Sequence, residues 1–317
     1  MAKYTAIGGQ ALIEGILMRS PEKSALAVRK PDKSIEIVDF NPKSLRDKYR
    51  ILKLPVIRGV ISFAESLIQG YKAMMISAEK SGFTDIDDEK PQENSSVLIN
   101  TVMIIGSVLG VALAVILFML LPRLAVKGLE YLFASEFSKV SHSLIEQAIK
   151  LIVLVAYMWG VSLMPDIKRV FMYHGAEHKT IFCYEKGLEL NTENVRKQKR
   201  FHPRCGTSFL ILMVLVSVIV STLVQIVFPG VYSVVALWVL AKILMVPLIC
   251  GIGFEILRAC GKYDNLLTKI LSAPGLWLQR ITTKEPDDEM IEIAIAALRA
   301  AEPDKPDVDR SIDGEKE

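Results

Sequence analysis

Long uncharged apolar stretches dominate the central part of the chain and predict membrane-spanning helices. Residues 97–121 contain no charged side chain and could cross a hydrocarbon core of about 30 Å. Residues 149–165 form a second stretch if the helix extends back through Leu144, with Glu146 and Lys150 near an interface. The uncharged run 205–241 is too long for one straight helix, so Pro229-Gly230 divides it. The last two predicted spans are 207–228 and 231–257.

The distribution of basic residues predicts the orientation of these four spans. Lys and Arg number 15 before the first span, 3 in the loop 122–143, 9 in the loop 166–206 and 9 from Arg258 onward. By the positive-inside rule, both termini and the central loop are cytoplasmic. We therefore expect an all-α polytopic membrane protein with four transmembrane helices and both termini in the cytoplasm.

Periodicity outside the spans predicts smaller elements. Residues 24–30 and 34–40 form a β-hairpin, and residues 55–78 carry the apolar stripe of an amphipathic helix. Such a stripe suits either the bilayer surface or the other helices of a small core. The predicted organisation is an N-terminal region 1–81, an acidic linker 82–96, a membrane domain 97–257 with cytoplasmic loop 166–206, C-terminal helices 258–302 and a disordered tail 303–317. In the C-terminal part, residues 266–281 form an interfacial segment interrupted at Pro274-Gly275, and residues 289–301 an amphipathic helix.

Composition narrows the class of protein further. The chain has 317 residues, of which 51% are hydrophobic and 23% charged, and its mean hydropathy of +0.35 excludes disorder of the whole chain. A net charge of +3 gives no support for nucleic-acid binding. Four cysteines without paired spacing cannot build a disulfide framework, which favours a reducing compartment or a metal. Phosphate-binding and nucleophile-elbow motifs are absent.

Three of the four histidines lie in the central loop and suggest a metal site. In the sequence HGAEH, His174 and His178 are four residues apart, so a helix would project both imidazoles from one face. The sequence HPRC adds His202 and Cys205 just before the third span. Three nitrogens and a thiolate form a tetrahedral set suited to zinc. The alternatives are no metal, a structural metal closed by four protein ligands, and a catalytic metal with an open position.

HGAEH also matches the H-x-x-E-H pattern of inverzincin metalloproteases, in which the glutamate is the general base. Glu177 is therefore the candidate catalytic residue. Those enzymes add a downstream glutamate as third ligand, and Glu255 is a candidate because the fourth span returns it to the same membrane face. The alternative for Glu255 is an ion pair with Arg258 one turn away. Lys242, inside the fourth predicted span, either faces a functional cavity or reaches the nearest polar group.

Four segments taken together resemble a known family. They are GGQALIEGILMRSPEKSALAVR near the start, YHGAEHKTIFCYE and RFHPRCGTSFL in the middle, and APGLWLQRITTKEPDDEMIEIAIAAL near the end. In this order they resemble the YqhQ-like family of bacterial membrane proteins, a group of unknown function described as predicted metal-dependent enzymes. The resemblance implies a multi-pass protein of the bacterial cytoplasmic membrane with a metal site and no known substrate.

Three functional hypotheses follow. The first is a metal-dependent integral membrane hydrolase whose central loop holds a divalent metal, with zinc the best candidate, at the cytoplasmic face. The second is a non-enzymatic scaffold or assembly factor that binds a protein partner at that face, in which the metal only stabilises the folded loop. The third is a transporter that uses Lys242 and Glu255, for which the sequence shows no repeat. The expected partners are the lipid bilayer and, for the second hypothesis, that protein.

Overall fold

The structure is a computed structural model that describes residues 7–42, 44–83, 105–106, 108–232, 234–263 and 265–302. The N-terminal part forms an antiparallel sheet of four strands in sequence order. The strands are β1 (Gly8–Leu12), β2 (Gly15–Arg19), β3 (Ser24–Arg29) and β4 (Ile35–Asp39). The helices are α1 (Leu45–Lys48), α2 (Ile57–Lys80), α3 (Val108–Leu132), α4 (Lys139–Val161), α5 (Pro165–Glu185), α6 (Thr192–Arg196), α7 (Gly206–Val227), α8 (Val235–Lys262), α9 (Leu266–Thr282) and α10 (Asp288–Ala301).

The predicted hairpin is confirmed as β3 and β4, but it is only half of the sheet. Strand β2 escaped prediction because both of its faces are buried, so its apolar residues do not alternate with polar ones. Strand β1 is mostly exposed or half-buried and begins with two glycines, a residue type that disfavours strands. Ile16 and Met18 pack into one core with α5 and α10, whereas Leu17 packs into a second core with Ala73 of α2. A strand buried on both sides looks like a short apolar run rather than a period of two.

Four helices are long and apolar enough to cross a membrane, as expected. They are Val108–Leu132, Val140–Val161, Gly206–Val227 and Ala236–Lys262. The first helix extends further than predicted: it passes through Pro122 and ends at Leu132, so the expected loop 122–143 is wrong in its first half. A π turn over Ile116–Leu120 directly precedes the proline and changes the hydrogen-bond register, which lets the helix continue past the missing N–H group. Residues 97–104 and most of the acidic linker lie outside the described residues, as does the tail 303–317.

Helix α2 packs against α8, in agreement with its amphipathic stripe. The crossing is close because it is built on glycines: a Cβ added to Gly59 would lie 2.8 Å from the Cβ of Phe254, and one added to Gly251 would lie 2.3 Å from Cγ1 of Val56. Within the bundle, α3 contacts α4, α4 contacts α7, and α7 contacts α8.

The C-terminal helices differ from their predicted environment. Helix α9 is continuous through Pro274-Gly275 where an interruption was expected, and Gly275 lets it approach α7, since a Cβ there would lie 2.5 Å from Ser208 Oγ. Helix α10 confirms the helix predicted at 289–301, but it is a core element: its apolar residues are buried against β2, β3 and α5. The sheet, α5, α9 and α10 thus form one unit at the end of the bundle where α4 ends and α7 begins.

Candidate functional site

The HGAEH sequence is helical, as the predicted metal site requires. It lies in the second half of α5, which begins with Pro165 at its first turn, a position where the missing proline N–H costs nothing. His174 and His178 are one turn apart, and their ring centroids are 4.4 Å from each other. His178 is buried and His174 is partly buried. The helix therefore presents two imidazoles toward one point.

Cys205 completes the group from the start of the third span. It is the N-cap residue of α7, and its Sγ lies 3.1 Å from Nε2 of His174. One ligand atom from each of His174, His178 and Cys205 lies within 4.8 Å of the other two. A tetrahedral zinc with nitrogen at roughly 2.1 Å and sulfur at roughly 2.3 Å would separate its ligand atoms by about 3.6 Å. The spacing and the chemistry of these three donors fit a divalent metal of the zinc type.

Hydrogen bonds to backbone carbonyls fix which nitrogen each imidazole offers. His174 Nδ1 lies 2.9 Å from the carbonyl oxygen of Thr282, and His178 Nδ1 lies 2.5 Å from that of Arg200. A carbonyl oxygen can only accept, so both Nδ1 atoms donate. Nε2 then keeps the lone pair that a metal needs, which is the usual outer arrangement around metal-binding histidines.

Burial and mutual charge favour the protonation states that bind a metal. Burial lowers the pKa of His178, which favours the neutral imidazole that binds a metal. Burial acts to raise the pKa of Cys205, but the charge and hydrogen bond of His178, with two hydrogen bonds to Thr207, outweigh it and lower that pKa below its ordinary value. A more acidic thiol gives more of the thiolate, which is the form that ligates zinc.

Glu177 lies beside the three donors and is held differently. The backbone N–H groups of Gly9 and Ala11, on the free edge of β1, hydrogen-bond to its carboxylate. Its Oε2 is buried and has no hydrogen-bond partner among the described residues. Burial is the largest influence and raises the pKa of Glu177 to about 7, against the lowering effect of His174 and the two amides. A carboxylate with that pKa can both take and return a proton at neutral pH.

A cavity of about 350 Å³ opens onto this group of residues. Its walls include the backbone of β1, Phe171 of α5 and Thr207 at the start of α7, together with the three donors and Glu177. The free edge of β1 comes close because Gly9 has no side chain: a Cβ there would lie 2.9 Å from three atoms of Glu177. The backbone of β1 thus approaches Glu177 closely at Gly9.

The other two predicted ligands are placed differently. His202 is buried next to the cluster, with its ring centroid 5.6 Å from that of His178, but its Nε2 lies 3.6 Å from Oε2 of Glu185. Glu255 is outside the cluster: its carboxylate forms an ion pair with Arg58 of α2, with Arg58 Nε donating at 2.7 Å. Arg58, not Arg258, is the partner that sequence spacing could not identify. Of the five predicted ligands, the structure brings together His174, His178 and Cys205.

Sequence reasoning missed the residues that hold this arrangement in place. Gln279 of α9 is fully buried, accepts from the backbone N–H of His202 at 2.7 Å and donates to its carbonyl at 2.7 Å. The same helix end supplies the Thr282 carbonyl for His174, and a Cβ added to Gly175 would lie 2.0 Å from the carbonyl oxygen of Lys284. Any residue type can supply a backbone carbonyl, so these contacts cannot be recognised in a sequence. The polar residues within the otherwise apolar helix α9 were the only sequence feature that pointed to a role in supporting the site.

Comparisons with known proteins agree with the resemblance described above. The family model described as "Protein of unknown function (DUF1385)" matches residues 54–304. The "Uncharacterized protein YqhQ" of Bacillus subtilis (strain 168) is 35% identical over 301 residues, which cover 92% of this chain and 91% of that protein. No solved structure shows significant similarity to the chain.

Proposed function

The chain belongs to the DUF1385 family, and we propose that it is a metal-dependent integral membrane hydrolase. The observation that carries this proposal is the convergence of His174 and His178 from one helix with Cys205 from the start of a membrane span. Three protein donors beside a cavity are typical of catalytic zinc, whereas structural zinc is closed by four. Glu177, with its unpartnered Oε2, occupies the place of a general base.

Each residue has a distinct task in this proposal. His174, His178 and Cys205 would hold the metal, which in such sites acts as a Lewis acid on a carbonyl or phosphoryl group and makes water more acidic. Glu177 takes a proton at Oε2 and delivers it to the leaving group, and its pKa of about 7 suits both steps. The amides of Gly9 and Ala11 orient its carboxylate. The apolar residues around Phe171 limit the access of bulk water.

The location of the site supports a substrate at the membrane surface. Cys205 immediately precedes the span Gly206–Val227, so the donors lie at the level where this helix leaves the bilayer. The excess of Lys and Arg in residues 166–206 and at both ends of the chain supports a cytoplasmic position for this face by the positive-inside rule. The substrate bond would then be hydrolysed at the inner surface of the cytoplasmic membrane.

A scaffold with a structural metal is the alternative, and His202 is the observation that favours it. Its ring packs 5.6 Å from that of His178, so a change of side-chain rotamer could make it a fourth ligand. Against this, Nε2 of His202 lies 3.6 Å from Oε2 of Glu185, which holds the ring in its present position. His202→Ala separates the two: a structural site loses its metal, whereas a catalytic site keeps it.

Metal analysis of detergent-purified protein tests the proposal. We expect about one equivalent of zinc or a similar divalent metal in the wild type and its loss in His178→Ala, because two remaining donors hold a metal weakly. Glu177→Gln is the matched control: it should keep the metal and lose hydrolytic activity. A wild type without metal in zinc-supplemented medium, or His178→Ala with a full equivalent, would refute the assignment.

A further inference from the structure

A second group of charged side chains lies inside the membrane bundle, away from the histidines. We call it the polar layer; it consists of Arg123, Glu146, Gln147, Lys150, Ser217, Ser221 and Lys242. Glu146 lies seven residues after the start of α4 and Lys242 seven residues after the start of α8, which is about 10 Å along each helix. Ser221 lies six residues before the end of α7, at about 9 Å. These helix ends lie on the same side of the bundle, and Lys150, Ser217 and Arg123 lie deeper, at about 14–17 Å.

One ion pair in the layer is complete. Lys242 Nζ lies 3.0 Å from Oε1 of Glu146 and donates to Ser221 Oγ at 3.4 Å. The side chains of Lys242 and Glu146 are only 11% and 4% exposed. Lys242 has therefore found a carboxylate on a neighbouring helix, and the negative charge of Glu146 is balanced by it.

Two further cations share the layer without a carboxylate of their own. Lys150 Nζ donates to Oε1 of Gln147 at 3.2 Å, and the Arg123 guanidinium stacks 4.3 Å from the centre of the Trp238 ring. Lys242 Nζ is 6.0 Å from the same ring. Among the residues that the structure describes, neither Lys150 nor Arg123 forms a salt bridge. Unbalanced positive charge inside a membrane bundle is costly unless an anion accompanies it.

The layer also contains hydrogen-bond donors that lack an acceptor. Lys150 can only donate, so the Gln147 atom that it contacts is the amide oxygen, which also accepts from Ser217 at 3.0 Å. The other end of the amide is then the Nε2 group of Gln147, which is buried and has no hydrogen-bond partner among the described residues. The side chain as a whole is 3% exposed. Arg123 Nη1 is likewise a buried atom without a hydrogen-bond partner among the described residues. A buried donor without an acceptor loses its hydrogen bond to water without replacing it, so such groups mark a site where an acceptor is expected.

We propose that the polar layer binds a phosphate group. An anion with several oxygen atoms would balance the excess charge of Lys150 and Arg123 and accept from Gln147 Nε2 and Arg123 Nη1. Lysine, arginine and amide N–H groups are the donors that proteins use for phosphate. The layer lies about 9–17 Å from the helix ends on the side opposite the candidate metal site, and basic pockets between membrane helices bind lipid headgroups. The phosphodiester of an anionic phospholipid is the source that we expect, and free phosphate is the other source of the same chemistry.

The test compares Lys150→Met with wild type in delipidated detergent and in mixed micelles that contain phosphatidylglycerol. Without an anion, the substitution removes an excess, partly buried cation from inside the bundle, so we expect Tm to rise. With phosphatidylglycerol, we expect the wild type to gain more Tm than the variant. Lipid retained in native mass spectra should fall at least about tenfold in the variant, since a charge-assisted hydrogen bond is lost. Lys127→Met, an exposed lysine of α3, is the matched control and should change neither quantity.

Two further measurements complete the test. If inorganic phosphate raises Tm in the wild type but not in Lys150→Met, the proposal stands with free phosphate as the source. Lys242→Met should lower Tm under every condition, because it leaves Glu146 unpaired, and it shows that the assay detects a structural role. Equal lipid retention and an equal Tm change in wild type and Lys150→Met, with both phosphate sources, would overturn the proposal. Lys150→Gln repeats the comparison if the methionine variant does not fold.

Discussion

Gly175→Ala is the substitution whose effect the structure defines most sharply. Gly175 lies in α5 between the two histidine donors, and an added Cβ would be 2.0 Å from the carbonyl oxygen of Lys284. The same segment donates from Lys284 N to the carbonyl of Phe171 at 2.8 Å and offers the Thr282 carbonyl to His174. Since the clashing atom belongs to the backbone, the segment must move as a whole.

The size of the effect follows from two opposing terms. Alanine in the middle of a helix is ordinarily about 1 kcal/mol more stable than glycine. An ordinary contact needs about 3.4 Å or more, so the segment would have to retreat by more than about 1 Å, and overpacking of this kind costs about 1–3 kcal/mol. Loss of the hydrogen bond to Phe171 adds about 1 kcal/mol. We expect a net loss of about 2 kcal/mol, or a fall in Tm of about 3 °C for a chain of this length.

The metal should respond as well as the stability. A displaced Thr282 no longer holds Nδ1 of His174, and loss of such an outer contact lowers metal affinity by about 10- to 100-fold. Thermal denaturation in detergent and competition with a chromophoric chelator measure the two quantities. Gly128→Ala in α3 is the control, because a Cβ there meets nothing within 4 Å. The reasoning is refuted if Gly175→Ala is as stable as the wild type and binds metal equally well.

Three further substitutions probe other contacts of the site. Gly9→Ala places a Cβ 2.9 Å from the carboxylate of Glu177, so metal should be retained while hydrolysis falls at least about tenfold; unchanged turnover contradicts this role of Gly9. Gln279→Leu removes two buried hydrogen bonds to the His202 backbone and should lower the free energy of unfolding by about 2–4 kcal/mol in chemical denaturation. A change below about 0.5 kcal/mol argues against this role of Gln279. Glu255→Gln should leave metal content unchanged in elemental analysis, because this carboxylate pairs with Arg58, and metal loss would restore Glu255 as a ligand.

The sequence was informative where a property repeats along one element. Uninterrupted apolar runs predicted four spans, and the i, i+4 spacing of His174 and His178 predicted their common face. The first span was predicted too short because the sequence gives no sign of the π turn that allows the helix to continue through Pro122. Strand β2 was missed because burial on both faces removes the alternation on which strand prediction depends, and β1 was missed because it begins with two glycines, which disfavour strands.

Contacts between distant elements were beyond sequence reasoning. Glu255 was assigned to the metal by topology, yet topology only places a residue on a membrane face and cannot distinguish Arg58 from a metal as its partner. The outer shell of the site consists largely of carbonyl oxygens, at Arg200 and Thr282, whose side chains have no part in it. Lys242 and Glu146 were recognised as charged residues in apolar stretches, but their pairing required both α4 and α8 to pack against α7.

X-ray absorption spectroscopy at the metal edge tests the central claim most directly. For protein purified from zinc-supplemented cells, we predict one sulfur scatterer at about 2.3 Å and imidazole nitrogens at about 2.0–2.1 Å. We also predict that the sulfur disappears in Cys205→Ser and persists in His202→Ala. A spectrum of the wild type without sulfur, or one with only light scatterers in octahedral number, would contradict a metal held by His174, His178 and Cys205.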